Sequence, residues 1–171
     1  AELLAVGKDG RRKTRQALVG LPRKNGKSSL LSALALYFAS IEGEHAPDVI
    51  VAAGSRDQAA VVFDQARAFA GSDPIIDLWF EQQRFVMKCA ESDGLIRRIA
   101  ADGKLQHGLN PSTVIVDELH SFSTPRQVEL WAAMQTATGA RELPLTCSIT
   151  TAGYDKTTIL GQLFKAAIEL P

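Results

Sequence analysis

The 171-residue chain reads as an α/β protein with a mostly parallel central sheet and helices on both faces. Three observations predict this class. Short apolar runs rich in β-branched residues alternate with stretches of helical periodicity, the order expected of strands joined by covering helices. Several of those runs end in glycine, acidic or hydroxyl residues, the signature of a sheet edge that binds ligands. The composition, 46% hydrophobic and 22% charged, suits one globular core at this length.

Taken in chain order, residues 3–6, a Lys8-Asp9-Gly10 turn and a first core strand at 16–20 predict an N-terminal hairpin. The stretch 28–40 is apolar almost all round, as expected of a helix packed deep against a sheet. Residues 49–53 form a continuous apolar run and predict a buried strand. Ala59, Val62, Phe63, Ala66, Phe69 and Ala70 recur at three- and four-residue spacing, with Gly71 placed to end the helix. After Pro74, with apolar Ile75, Ile76 and Leu78 between, Trp79 and Phe80 read as core rather than ligand-binding. Runs at 84–90 and 95–100 flank Glu91-Ser92-Asp93-Gly94 and predict a hairpin inserted between sheet strands.

Residues 114–116 are a short apolar strand that ends in Asp117 and Glu118. Thr124-Pro125-Arg126-Gln127 fits a capping box with proline at the first helical position, opening a helix to about residue 137. Residues 145–150 are the last strand, and Leu160, Leu163, Phe164 and Ala167 give the last helix an apolar face.

Charge narrows the partners without naming one. Nineteen basic residues balance nineteen acidic ones, so contact with a polyanion requires a local patch. Lys8, Arg11, Arg12, Lys13 and Arg15 form such a run, but no aromatic residue interleaves for base stacking, which favours a solvated hairpin. Cys89 and Cys147 lie outside any metal-ligand spacing, pointing to a reducing compartment and no structural zinc. The longest apolar stretch, 30–39, is interrupted by Ser32 and is about half of a bilayer crossing. With no signal peptide at the start, a cytosolic location is expected.

The chemistry concentrates in three segments. A phosphate loop needs backbone N–H groups aimed into a concavity, a helix N-terminus behind them, a lysine for the outer phosphates and a hydroxyl for magnesium. Gly26-Lys27-Ser28, between a predicted strand and helix, supplies the end of that device. The usual leading glycine is replaced by Leu21, with Gly20 one position too early, so a basic turn before a core helix is the competing reading. Arg23 and Lys24 add positive charge, and a guanidinium can grip phosphate oxygens in a bidentate way. Asp117 and Glu118 point different ways from one strand end, so one can serve magnesium and the other activate water. Alternatively they begin a solvated acidic turn. Thr150 and Thr151 end the last strand, where hydroxyls can sense a γ-phosphate or simply close a polar turn. His120 either reports nucleotide state or caps its turn.

These segments, in this order, resemble the ATPase domain of the large terminase subunit of tailed bacteriophages, in the branch whose loop reads PRKNGKS, here 22–28. VIVDELHSF (114–122) is similar to that family's magnesium and catalytic-acid motif, and TTAG (150–153) to its coupling motif. VAAGSRDQA (51–59) and GLNPS (108–112) extend the likeness over most of the chain. The resemblance implies a RecA-like P-loop NTPase fold with an added catalytic glutamate, hydrolysing ATP to drive double-stranded viral DNA into a procapsid. It implies nucleotide contacts from Pro22, Arg23, Lys24, Asn25, Gly26, Lys27, Ser28, Ser29, Thr150 and Thr151. Within them Lys27 would bind the outer phosphates and Arg23 would act in the loop. Ser28 and Asp117 would hold Mg2+, Glu118 would be the general base, and Thr150 and Thr151 would couple hydrolysis to movement. The implied partners are a homo-oligomeric ring, the portal protein and the small terminase subunit, in the cytoplasm of an infected or lysogenic bacterium.

Three departures qualify the likeness. Relatives often carry an arginine, serving a neighbouring subunit's nucleotide, before the glycine that precedes the Asp-Glu strand, where this chain has His107-Gly108. The trans-acting role then falls to Arg97, Arg98 or Lys104, unless these are the wet face of the predicted hairpin. Glu129, Glu142, Asp155 and Glu169 form no cluster for the family's C-terminal nuclease, and only about fifteen residues precede the first core strand. Residues 1–171 are accordingly expected to be a single ATPase domain. The alternatives are a DExH helicase-like ATPase, which would need a second lobe, and a nucleotide-binding ring-assembly module without turnover.

Overall fold

β2 (Asp48–Ala53) is buried along its whole length because it lies inside a sheet covered on both faces. A computed structural model describes residues 2–101, 109–151 and 156–169. Lys104, His107, Gly108, Ala152, Gly153 and Asp155, named above, lie outside the described residues. The other strands are β1 (Gln16–Gly20), β3 (Phe80–Gln82), β4 (Val86–Cys89), β5 (Gly94–Ala100), β6 (Thr113–Asp117) and β7 (Leu145–Thr150). They form one seven-stranded sheet in the order β1-β7-β6-β2-β5-β4-β3. Pairing is parallel from β1 to β5 and antiparallel at β4 and β3.

Alternation along the strands builds two apolar layers. Val49 and Val51 face a cluster with Leu31, Phe38, Val62 and Phe63, contributed by α1 (Lys27–Ser40) and α2 (Arg56–Ser72). Ile50 and Ala52 face the opposite cluster, with Val114, Val116, Leu130, Met134 and Leu160. That layer is closed by α4 (Pro125–Ala137) and α5 (Ile159–Glu169). Among the described residues no helix is long and apolar enough to cross a membrane.

Several expectations need correction. Gly71 lies inside α2 and does not end it. The break comes at Asp73, whose extended backbone (φ −119, ψ 120) suits a residue before proline. Asp73 Oδ1 then accepts from Ile75 N at 2.8 Å and caps α3 (Pro74–Trp79). Phe80 belongs to the core and Trp79 packs against it, as expected; Ile76 also packs against it, while Ile75 and Leu78 are exposed.

The hairpin predicted at 84–100 is present as β4 antiparallel to β5, but it is the outer part of the main sheet, because β5 pairs in parallel with β2 over its length. Gly94 is required at its start, since a Cβ there would strike the carbonyl oxygen of Ala39. The N-terminal hairpin reduces to one bridge, Val6 to Arg12, beyond a short 3-10 turn at Glu2–Leu4. Arg12 turns inward rather than extending a ladder. Its guanidinium donates to Leu3 O at 3.0 Å and Leu143 O at 3.3 Å and pairs with Glu42. Burial lowers its pKa, and the four other basic residues of that run are exposed. On α5 only Ile159 and Leu160 are buried, and Phe164 and Ala167, expected on its apolar face, are exposed.

Candidate active site

Strand register brings the polar segments together. Gly20 of β1 pairs with Thr150 of β7, and Ile149 of β7 pairs with Asp117 of β6, so three strands end on one rim. Leu21 N still donates to Thr150 O at 3.1 Å before the chain leaves the sheet. Lys24 (φ 63) and Gly26 (φ 68, ψ 22) then take left-handed conformations and fold residues 22–26 back over the start of α1. The second turn uses the residue type for which that backbone is unstrained.

The loop and Glu118 share a cleft of ≈ 370 Å³ lined by Arg23, Lys24, Gly26, Lys27, Ser28, Ser29 and Glu118. Lys27 is buried, and its Nζ lies 3.4 Å from Glu118 Oε1 and 3.4 Å from the carbonyl oxygen of Pro22. Ser28 Oγ donates to Asp117 Oδ2 at 3.3 Å. Ser29 also lines the cleft, with its hydroxyl fixed by Gln65 Nε2 at 2.8 Å. Arg23, Lys24 and Asn25 are exposed, and Asn25 is not among the lining residues.

The two acids behave differently because the backbone turns between them. Asp117 completes β6 and is 6% exposed, whereas Glu118 has a left-handed backbone (φ 52, ψ 52) that opens a 3-10 turn, Leu119–Ser121. For a non-glycine residue that conformation costs about 1 kcal/mol. Burial, and then the charge of Glu118, push the Asp117 pKa up. Its Oδ1 is buried without a hydrogen-bond partner. A buried carboxylate oxygen without a partner is costly in isolation and suits a cation ligand. Ser28 and Asp117 therefore fit a magnesium ion, with hard oxygen donors beside the lysine.

Glu118 Oε2 faces Thr151 N and Thr151 Oγ1, each at 3.4 Å, and His120 Nδ1 at 3.1 Å. His120 thus belongs to the site through its ring, a contact that turn capping by itself would not require. Gln65 is a residue that sequence reasoning missed; it lies on a helix far along the chain, and no local motif marks it. Arg97 and Arg98 turn elsewhere. Arg97 Nε donates to Asp48 Oδ1 at 2.8 Å, at the opposite end of β2, and Arg98 lies over the rings of Phe63 and Phe85 at 5.7 and 5.0 Å.

The sequence model of a family described as terminase large subunit, ATPase domain, matches residues 8–169. The large subunit of the terminase of Enterobacteria phage HK97 is 30% identical over 157 residues, covering 86% of this chain and 30% of that protein. The crystal structure of the HK97 bacteriophage large terminase superposes with a TM-score of 0.85 at 28% identity, covering 91% of this chain and 33% of that one. At 13% identity, the N-terminal domain of the DNA packaging ATPase from bacteriophage phi29 shares the fold, with a TM-score of 0.59 over 89% of this chain and 80% of that one. The chain thus spans about a third of the length of the HK97 protein it matches.

Proposed function

This chain belongs to the terminase large-subunit ATPase-domain family, and on that premise we propose that it hydrolyses ATP in the cleft between residues 22–29 and Glu118 to drive double-stranded viral DNA into a procapsid. The observation that carries the reading is the contact of Ser28 with Asp117 at 3.3 Å, beside the Lys27–Glu118 pair and with Asp117 Oδ1 unpartnered. Hydroxyl, carboxylate, ammonium and a second carboxylate are the set that phosphoryl transfer to water requires.

In this reading Lys27 and the amino end of α1 hold the outer phosphates, and Arg23 and Lys24 close over them from the loop. Ser28 and Asp117 hold Mg2+, which supplies charge neutralisation along the triphosphate when bound. Lys27 turns from Glu118 toward phosphate, which leaves Glu118 Oε1 free to accept a proton from water. The water oxygen bonds to the γ-phosphorus as the bond to the bridging oxygen breaks, giving ADP and phosphate. Thr151 N and Oγ1, on the other oxygen of Glu118, carry the change into the segment after β7.

Family membership favours neither a DExH helicase-like ATPase nor a ring module without turnover. We take residues 1–171 as one ATPase domain working in a homo-oligomeric ring with a portal protein and a small terminase subunit, in the host cytoplasm. Phosphate release from the purified chain, measured with and without Mg2+ and double-stranded DNA, tests the reading. Magnesium-dependent release is expected, and ATP binding with no release at any concentration would replace the motor with the assembly module.

A further inference from the structure

His120 lies at the meeting of three strand-end groups, and its surroundings fix which ring nitrogen holds the proton. Nδ1 is 3.1 Å from Glu118 Oε2, 3.1 Å from Thr150 Oγ1 and 3.3 Å from Thr151 Oγ1. Thr150 Oγ1 donates its own hydrogen to Thr151 O at 2.9 Å and accepts the backbone N–H of His120 at 3.2 Å. It therefore meets the ring as an acceptor, and an ionised carboxylate oxygen can only accept. Two acceptors converging on one nitrogen require a hydrogen on it, so Nδ1 is the donor of these contacts.

The same geometry divides the two oxygens of Glu118. Oε2 is surrounded by His120 Nδ1, Thr151 N and Thr151 Oγ1. Oε1 faces Lys27 Nζ. Once Lys27 turns to phosphate, the carboxylate would be free to rotate about its last torsion were Oε2 not held.

We infer that His120 is a positioning residue for the proposed base: through Nδ1–H it pins Glu118 Oε2 against the end of β7 and leaves Oε1 as the oxygen that takes the proton. The inference rests on the reading of Glu118 as the base, but the assignment of Nδ1 as donor does not. A side chain that only filled the turn would be indifferent to which of its nitrogens carried hydrogen. Asparagine and glutamine separate the cases, because asparagine Nδ2 can occupy the place of Nδ1 whereas glutamine Nε2 reaches the place of the far ring nitrogen.

The test uses the whole chain with 15N-labelled histidine. One-bond and long-range imidazole spectra are recorded where the ring is neutral, and His120 is assigned among the three histidines by its loss in His120→Asn. Protonated Nδ1 is expected, against the Nε2–H form that free histidine prefers in water; a neutral ring carrying its proton on Nε2 overturns the inference. Turnover and ATP affinity are then compared across variants that melt with the wild type. His120→Gln is expected to lose about tenfold or more in kcat with Kd for ATP within about twofold, and His120→Asn to recover to within about threefold of wild type. Equal loss in both variants, or no loss in either, overturns it. A wild-type chain without turnover defeats the hydrolysis reading instead, and the spectrum then upholds or overturns the Nδ1 contact on its own.

Discussion

Lys27 Nζ stands 3.4 Å from Glu118 Oε1, so the ammonium assigned to phosphate and the carboxylate assigned to water neutralise each other across the cleft. Two outcomes follow from that pairing. Lys27→Ala is expected to weaken ATP binding by about a hundredfold or more, as a charge-assisted contact to phosphate is lost. Glu118→Gln should bind ATP as tightly as wild type or better, because it releases Lys27, while kcat falls by about 10²–10⁴. Fluorescent-nucleotide titration beside phosphate release reads both, and wild-type turnover in either variant removes this site from the reaction.

Asp117 gives a prediction of opposite sign for stability and function. Burial and the neighbouring Glu118 raise its pKa, so the folded state holds its proton more tightly than the unfolded chain does. The contribution of this carboxyl to stability is therefore full at acid pH and declines as pH rises from about 3.9, the unfolded value, through the raised folded one. Asp117→Asn should melt no lower than wild type at neutral pH without metal, yet lose the stabilisation that Mg2+ and ATP confer on the wild type. Thermal melts across pH, taken as the difference between the two proteins, expose the single group, and an unchanged response to Mg2+ would remove Asp117 from the metal site.

The buried Arg12–Glu42 pair supports the fold rather than the chemistry. Its side chains are 0% and 6% exposed, and Arg12 also holds two carbonyl oxygens and lies 5.6 Å from the centre of the Phe38 ring. Arg12→Ala leaves a buried carboxylate without its partner and should cost about 3–5 kcal/mol in denaturant unfolding. Replacing both residues, Arg12→Met with Glu42→Leu, should cost much less. Equal losses in the single and double variants would show that the pair is not what Arg12 contributes.

Cys147 lies in β7 with no exposed surface, and burial pushes its thiol up to about 11. The thiolate is the reactive form, so alkylation at pH 8 should be negligible in the native chain and rapid in denaturant. Above about pH 8.5 the unfolded thiol ionises while the folded one does not, so this residue costs stability as pH rises further. Mass spectrometry after brief iodoacetamide treatment checks the first point, and native labelling of Cys147 would contradict its burial.

Much of the fold was legible because it is locally encoded. The strands at 16–20 and 145–150 and the helix opened by Thr124 and Pro125 lie where apolar runs and a capping box place them. In α4, Gln127 Oε1 accepts from Thr124 N at 2.9 Å as the capping box requires. Less local features escaped. The end of α2 is set by Asp73 before a proline, not by the glycine two positions earlier. The strand at 80–82 carries no period of its own and exists because β4 offers an unpaired edge. Arg12 reads in the sequence as one of five surface cations, and only the folded chain puts Glu42, Leu3 and Leu143 around it.

For the site, the chain by itself determined which groups are present: a glycine before Lys27 and Ser28, two acids after an apolar strand, two threonines after another. Those are properties of neighbouring residues, and neighbours are what a sequence displays. Only the tertiary structure decided that the three segments meet, because insertion of β7 between β1 and β6, in the register that pairs Gly20 with Thr150 and Ile149 with Asp117, is settled by packing two apolar faces at once. The division of labour within Glu118, one oxygen to Lys27 and the other to His120 and Thr151, follows from that register and is written in no single segment.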